Sequence, residues 1–114
     1  MRRYTIHESE IQVIERPGRK VRVIIGPDTF GPCKSMNMGI AEFPPGVLAP
    51  EHVHKTQEEI SYVVAGEGEF YIQEATERLV PGVCVYIPPG IPHQTRNTGD
   101  QVLKVLYVFS PAYD

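Results

Sequence analysis

The chain has 114 residues, 11 of them basic and 14 acidic, for a formal net charge of −3. That length makes residues 1–114 a single domain, too short for a core plus a separate catalytic module, so any site must lie inside the one fold. With no basic run beyond Arg2-Arg3, the charge gives no footprint for nucleic acid or an anionic membrane, and a small molecule is the expected partner.

In chain order, Met1 to Lys20 is polar and lacks the apolar core of a targeting peptide. No apolar stretch is long enough to cross a bilayer, so a soluble, cytoplasmic protein is expected. A short polar helical piece fits near Glu8 to Ile11. After Arg16-Pro17-Gly18, apolar and β-branched runs alternate with turn signals. Val21 to Ile25 ends at Gly26-Pro27-Asp28, and Met38 to Phe43 ends at Pro44-Pro45-Gly46. Ile60 to Ala65 and Glu69 to Gln73 flank Gly66-Glu67-Gly68. Val83 to Ile87 lies between Pro81-Gly82 and Pro88-Pro89-Gly90, and Val102 to Phe109 follows Asn97-Thr98-Gly99-Asp100. With 11 prolines and 10 glycines at such places, no long helix fits, and the chain reads as all-β.

Val102 to Phe109 is apolar on both faces, which requires cover on both. That favours a sandwich or closed barrel whose outer face meets a second copy, a homodimer. Cys33 and Cys84 form no C-x-x-C pair and read as incidental reduced thiols. Cys84, within the apolar run Val83 to Ile87, is expected to be a small buried hydrophobe.

Chemistry concentrates in two blocks. The first reads Gly46, five residues, His52-x-His54, four residues, Glu59, six residues, Gly66. On a strand, His52 and His54 share a face because side chains alternate with period two, so both imidazoles can reach one ion. Glu59 joins them only if the chain turns within Lys55-Thr56-Gln57-Glu58 and returns as the next strand. The second block reads Gly82, five residues, Pro88-x-Gly90, two residues, His93, three residues, Asn97. Pro88-Pro89-Gly90 forces a reversal, so His93 opens a further strand.

These blocks match both signature motifs of the cupin superfamily at each defining position, and the sequence resembles a small single-domain cupin. The motifs span residues 46–66 and 82–97. The resemblance implies a double-stranded β-helix, or jelly-roll barrel, enclosing one divalent metal held by His52, His54, Glu59 and His93. It also implies a dimer whose N-terminal strands, here the apolar Val21 to Ile25, pack across the interface. Glu58 competes with Glu59 as the acidic ligand, but the step to Gly66 selects Glu59 and alternation turns Glu58 to the other face. His7 matches nothing in either motif and is read as structural. Gly46, Gly66, Gly82, Pro88, Gly90 and Asn97 are read as backbone-shaping residues. Strand parity aims Ser61, Val63 and Thr95 inward, either as cavity lining or as plain core, while Gln57, Phe43 and Tyr62 are weaker candidates for substrate contact.

Three neutral imidazoles and a carboxylate suit a divalent transition metal. Supply and octahedral preference favour manganese or iron, with zinc, nickel, cobalt and copper also compatible. The expected function is a metal-dependent enzyme on a small oxygen-rich substrate, of dioxygenase or decarboxylase type and similar to oxalate decarboxylase-like cupins. No general acid or base beyond the ligands and Glu58 can be named. A non-catalytic module binding or sensing metal or a small ligand is the alternative. Sugar isomerase or epimerase action is another, for which Arg78, Arg96 and Lys104 would have to supply basic groups.

Overall fold

Turn residues divide the chain into β1 (Ile14–Arg16), β2 (Arg19–Ile25), β3 (Asn37–Phe43), β4 (Glu58–Ala65), β5 (Gly68–Ile72), β6 (Ala75–Leu79), β7 (Cys84–Ile87), β8 (His93–Asn97) and β9 (Leu103–Ser110). The structure, a computed structural model, describes residues 3–114; Arg2 of the Arg2-Arg3 pair lies outside them. Among the described residues the helical content is one 3-10 turn, Glu8–Glu10, within the stretch expected to be helical. His7 caps it, its Nδ1 accepting from the Ser9 amide at 3.1 Å. That gives His7 the structural role read from its sequence.

The strands form two antiparallel sheets, a large one in the order β1-β2-β3-β9-β4-β7 and a small one in the order β6-β5-β8. Their inner faces meet in one apolar core, to which the large sheet gives Val21, Phe43, Val63 and Leu103 and the small sheet gives Phe70 and Leu79. This is the expected all-β jelly-roll barrel. β9 lies between β3 and β4. Its inner residues Leu103, Val105 and Tyr107 are buried, while Leu106 and Val108 on the outer face are half-buried.

Asn97 shows what its motif position does. Only 1% exposed, its amide nitrogen donates to the carbonyls of Phe43 at 2.9 Å and Gln101 at 2.7 Å, and its oxygen accepts from the Gly99 amide at 2.9 Å. It ties the end of β3 to the turn before β9 and leaves no buried polar atom of its own unpaired.

Cys84 departs from expectation. On β7, Val85 and Ile87 face inward, so by the two-residue alternation Cys84 and Tyr86 face out, and both are exposed. An apolar run conceals which of its faces is covered.

The loop between His54 and Glu59 is braced from the C-terminal segment. The Asp114 carboxylate accepts from the amides of Lys55 at 2.9 Å, Thr56 at 2.7 Å and Gln57 at 3.3 Å. The Thr56 and Lys55 amides hold that carboxyl down at about 2, below its usual value. Buried Gln57 donates to the carbonyls of Pro111 at 3.0 Å and Ala112 at 3.1 Å. Its role is therefore to fasten this segment rather than to touch substrate.

Candidate metal centre

Residues 47–52 run beside β8 and extend the small sheet. The Ala49 amide donates to Thr95 O at 3.0 Å, and His52 and His93 exchange reciprocal main-chain hydrogen bonds, each 2.9 Å. His52 and His93 are thus paired across an isolated antiparallel bridge, with imidazole centroids 5.6 Å apart. The reversal at Pro88-Pro89-Gly90 is tied to the other histidine, the Gly90 amide donating to His54 O at 2.6 Å. Glu59, at the start of β4, pairs with Phe109 and Ile87 and so enters from the large sheet opposite.

The side chains converge. His54, Glu59 and His93 present ligand atoms that all lie within 4.8 Å of one another. Nε2 of His54 and of His93 stand 3.2 and 4.0 Å from the same Glu59 Oε1. Donors that each sit about 2.0–2.2 Å from a common ion span at most about 4.4 Å, so slight side-chain adjustment suffices. His52 is not one of the three: its ring lines the same cavity, with its centroid 6.3 Å from that of His54. The expected set of four is therefore seen as a cluster of three with His52 at its edge.

Neighbouring groups orient these donors. Nδ1 of His52 lies 2.8 Å from Pro50 O, and Nδ1 of His93 lies 3.0 Å from Ile91 O. A carbonyl can only accept, so Nδ1 carries the proton and Nε2 is the nitrogen left for another partner. Burial pushes the His52 pKa down, and the positive charge of Arg19 adds to the effect, so this ring is neutral near pH 7. Ser61 donates to Glu59 Oε2 at 2.8 Å and leaves Oε1 turned to the imidazoles. Nε2 of His54 is buried without a hydrogen-bond partner. An orphaned ring nitrogen beside a carboxylate oxygen costs desolvation free energy that a cation between them would recover, so these residues fit a divalent metal.

The cluster opens into a cavity of about 260 Å3, near the lower end of small-ligand sites, which run from about 300 to 1,000 Å3. Its walls are largely apolar and include Phe43, Val63, Phe70 and Val105, with Thr95 and Gln94 among the polar groups. Ser61 and Val63 face inward as parity requires, whereas Tyr62 is exposed on the outer face. Glu58 is also outside, accepting from the Tyr86 hydroxyl at 3.0 Å. Tyr107 reaches into the cavity across Gly39, its cross-strand partner on β3. A Cβ at Gly39 would collide with the Tyr107 phenol and the Arg22 carbonyl. Burial, and then the Glu59 charge, push the Tyr107 pKa up to about 12, so the phenol keeps its proton.

The family model for the cupin domain matches residues 39–109. The chain belongs to the cupin family. Among curated proteins it is similar to protein SchB of Streptomyces halstedii, 34% identical over 84% of this chain and 69% of that one. It is also 32% identical to polyketide synthase CurC of Streptomyces cyaneus, over 97% of this chain and 71% of that one. The structure of oxalate decarboxylase from Lactobacillus farciminis in complex with formate superposes with a TM-score of 0.82 and 28% identity. That match covers 95% of this cupin and 33% of the other chain.

Sequence reasoning looked for basic groups in the wrong place. Lys104 pairs with Glu8 at 2.5 Å, Arg78 with Glu67 at 3.8 Å, and Arg96 is exposed; none of the three lines the cavity. Arg16 and Arg19 do. The signal was parity: Arg19 stands two residues before Val21, whose side chain enters the core.

Proposed function

We propose that this cupin is a metal-dependent enzyme acting on a small oxygen-rich substrate. One divalent transition metal, manganese or iron by preference, is held by His54, Glu59 and His93 with His52 as a fourth ligand. The observation that carries this is the meeting of three ligand atoms beside a largely apolar cavity, one of them a buried, unpartnered nitrogen. The bound ion would act as a Lewis acid that polarises a carboxylate or enediol oxygen and orients it. The protein's own residues fix neutral imidazoles through Pro50 O and Ile91 O, aim Glu59 through Ser61, and keep water from the apolar walls. Tyr107 offers a protonated hydroxyl as a hydrogen-bond donor to the bound substrate.

Decarboxylation or dioxygenation is the proposed reaction type, and the likeness to oxalate decarboxylase supports the first. A second reading, a step in polyketide synthesis, is favoured by the likeness to polyketide synthase CurC; it would use the same Lewis-acid site without dioxygen. Elemental analysis of protein purified without added metal is expected to show about one transition metal per chain. Oxygen uptake and carbon dioxide release against catechols, diketones and dicarboxylates then separate the reactions. Metal bound without turnover on any of them would transfer the assignment to a binding module.

We also propose that the molecule is a homodimer. Ile60, Tyr62 and Val64 on β4 and Tyr86 on β7 form an exposed apolar outer face, in which Ile60 and Tyr86 are cross-strand partners, 57% and 56% exposed. A second copy of the same face is its natural cover. Within Val21 to Ile25, the stretch expected at such an interface, Val21 and Val23 turn into the chain's own cavity. Analytical ultracentrifugation should give a dimer for the wild type and a monomer for Ile60→Lys/Tyr86→Lys; a monomeric wild type would refute this.

A further inference from the structure

Among the described residues, no carboxylate forms an ion pair with Arg19. It stands on β2 in the parity of Val21 and Val23, is half-buried, and lines the cavity. Its one side-chain hydrogen bond among the described residues runs from Nη1 to Pro17 O at 3.1 Å, and no carboxylate among them pairs with it. Arg16, its cross-strand partner in the β1-β2 hairpin, also lines the cavity and donates only to Glu15 O, at 3.4 Å. Like charges placed directly opposite repel, and a half-buried cation without a counter-ion is costly.

The cavity itself offers only partial relief, since Tyr107 and Glu59 act on Arg19 less strongly than burial and Arg16. Among the described residues lining it, Glu59 is the only acidic one. That carboxylate is committed elsewhere, accepting from Ser61 through Oε2 and turning Oε1 to the imidazoles of the cluster. Nor is the hairpin placed by chance, since a Cβ at Gly18, where φ is +74°, would lie 2.8 Å from Ala49 Cα. The turn is therefore packed directly on the segment that leads to His52. Burial first, and then the charge on Arg16, push the Arg19 pKa down, as expected where the missing counter-charge is not part of the chain.

We propose that Arg19, with Arg16 beside it, is the receptor for a negative charge on the substrate, which is therefore a small organic anion bearing a carboxylate or enolate. The assignment rests on the metal-centre reading, because the anion would lie between the guanidinium and the ion. A guanidinium presents a planar fork of donors that matches a carboxylate edge, which an ammonium cannot do. Arg19 is thus a specificity-determining residue: it selects the charged substrate over a neutral one of the same shape.

Calorimetry on manganese-loaded protein, with malonate as the anionic probe and malonamide as its neutral counterpart, tests this. Losing a charge-assisted hydrogen bond should weaken malonate binding by about 10- to 100-fold in Arg19→Met. Malonamide binding and manganese affinity should be unchanged, and Arg19→Lys should fall between. A malonate affinity equal to wild type in Arg19→Met would overturn the proposal, as would equal losses for malonate and malonamide. Unchanged thermal stability of Arg19→Met excludes misfolding as the cause. Titration with manganese, iron, nickel and zinc reads the metal centre separately, and absence of binding to all four would refute that reading alone. Malonate titrated into the metal-free protein then decides on Arg19: binding abolished by Arg19→Met supports the receptor, and no binding to wild type refutes it.

Discussion

His93→Ala is expected to lose more divalent-metal affinity than the roughly 10- to 100-fold that follows when a group merely supporting a ligand is removed. His93 is 6% exposed, its Nδ1 is fixed on Ile91 O at 3.0 Å, and its Nε2 stands 4.0 Å from Glu59 Oε1. The ring is held by Ile91 O and lies 5.9 Å from the Phe70 ring, which leaves its Nε2 facing the cluster. The main-chain bonds that join residue 93 to residue 52 do not involve the side chain, so the barrel should remain folded. Competition against a chromophoric chelator measures the affinity and far-ultraviolet circular dichroism checks the fold. An affinity equal to wild type would remove His93 from the ligand set.

The largest loss of stability is expected for Leu103→Ala. Leu103 is 0% exposed and pairs with Phe43 across β9 and β3. Its Cδ2 packs so closely on β5 that a Cβ at Gly68 would lie 2.9 Å from it. Truncating such a leucine costs about 2–5 kcal/mol, the transfer term plus the cavity left behind. Set against a total of about 5–15 kcal/mol, the loss is a large share of what holds a domain folded. At about 4 °C per kcal/mol, Tm should fall by about 8–20 °C. Leu103 does not line the metal cavity, so metal affinity at 25 °C should stay near wild type. A melting temperature within about 2 °C of wild type would show that the core closes over the gap.

Together these two variants separate what the motifs announced from what they left silent. His54, Glu59 and His93 were legible because turn residues at fixed spacing dictate where the chain reverses. The reversal at Pro88-Pro89-Gly90 does deliver His93 beside the segment that carries His52. The strands with alternating or continuous apolar runs were legible for the same reason. β6 was not: Ala75, Thr76, Glu77 and Arg78 are exposed, and only Leu79 enters the core. An edge strand held by main-chain pairing with β5 leaves little hydrophobic periodicity to read. β1, with three residues, is shorter still and carries only Ile14 as an apolar residue.

Single side chains proved harder to place than strands. Gln57 and Tyr62 looked like candidates for the cavity, yet one fastens the C-terminal segment and the other faces outward. Arg19 belongs to neither motif, and a charged residue beside a turn normally belongs to solvent. Only the paired register of β1 and β2, and the packing of Gly18 on Ala49, turn it inward.

The reciprocal main-chain bonds between His52 and His93 bear on the order in which the protein matures. They set the spacing of two imidazoles with no help from a cation, unlike small zinc modules in which the ion itself drives folding. On the metal-centre reading, the polypeptide is therefore expected to acquire its shape first and take up the ion afterwards. A chelator should strip the ion and leave an intact barrel that accepts a replacement, so that whichever metal the cell offers decides the final occupant.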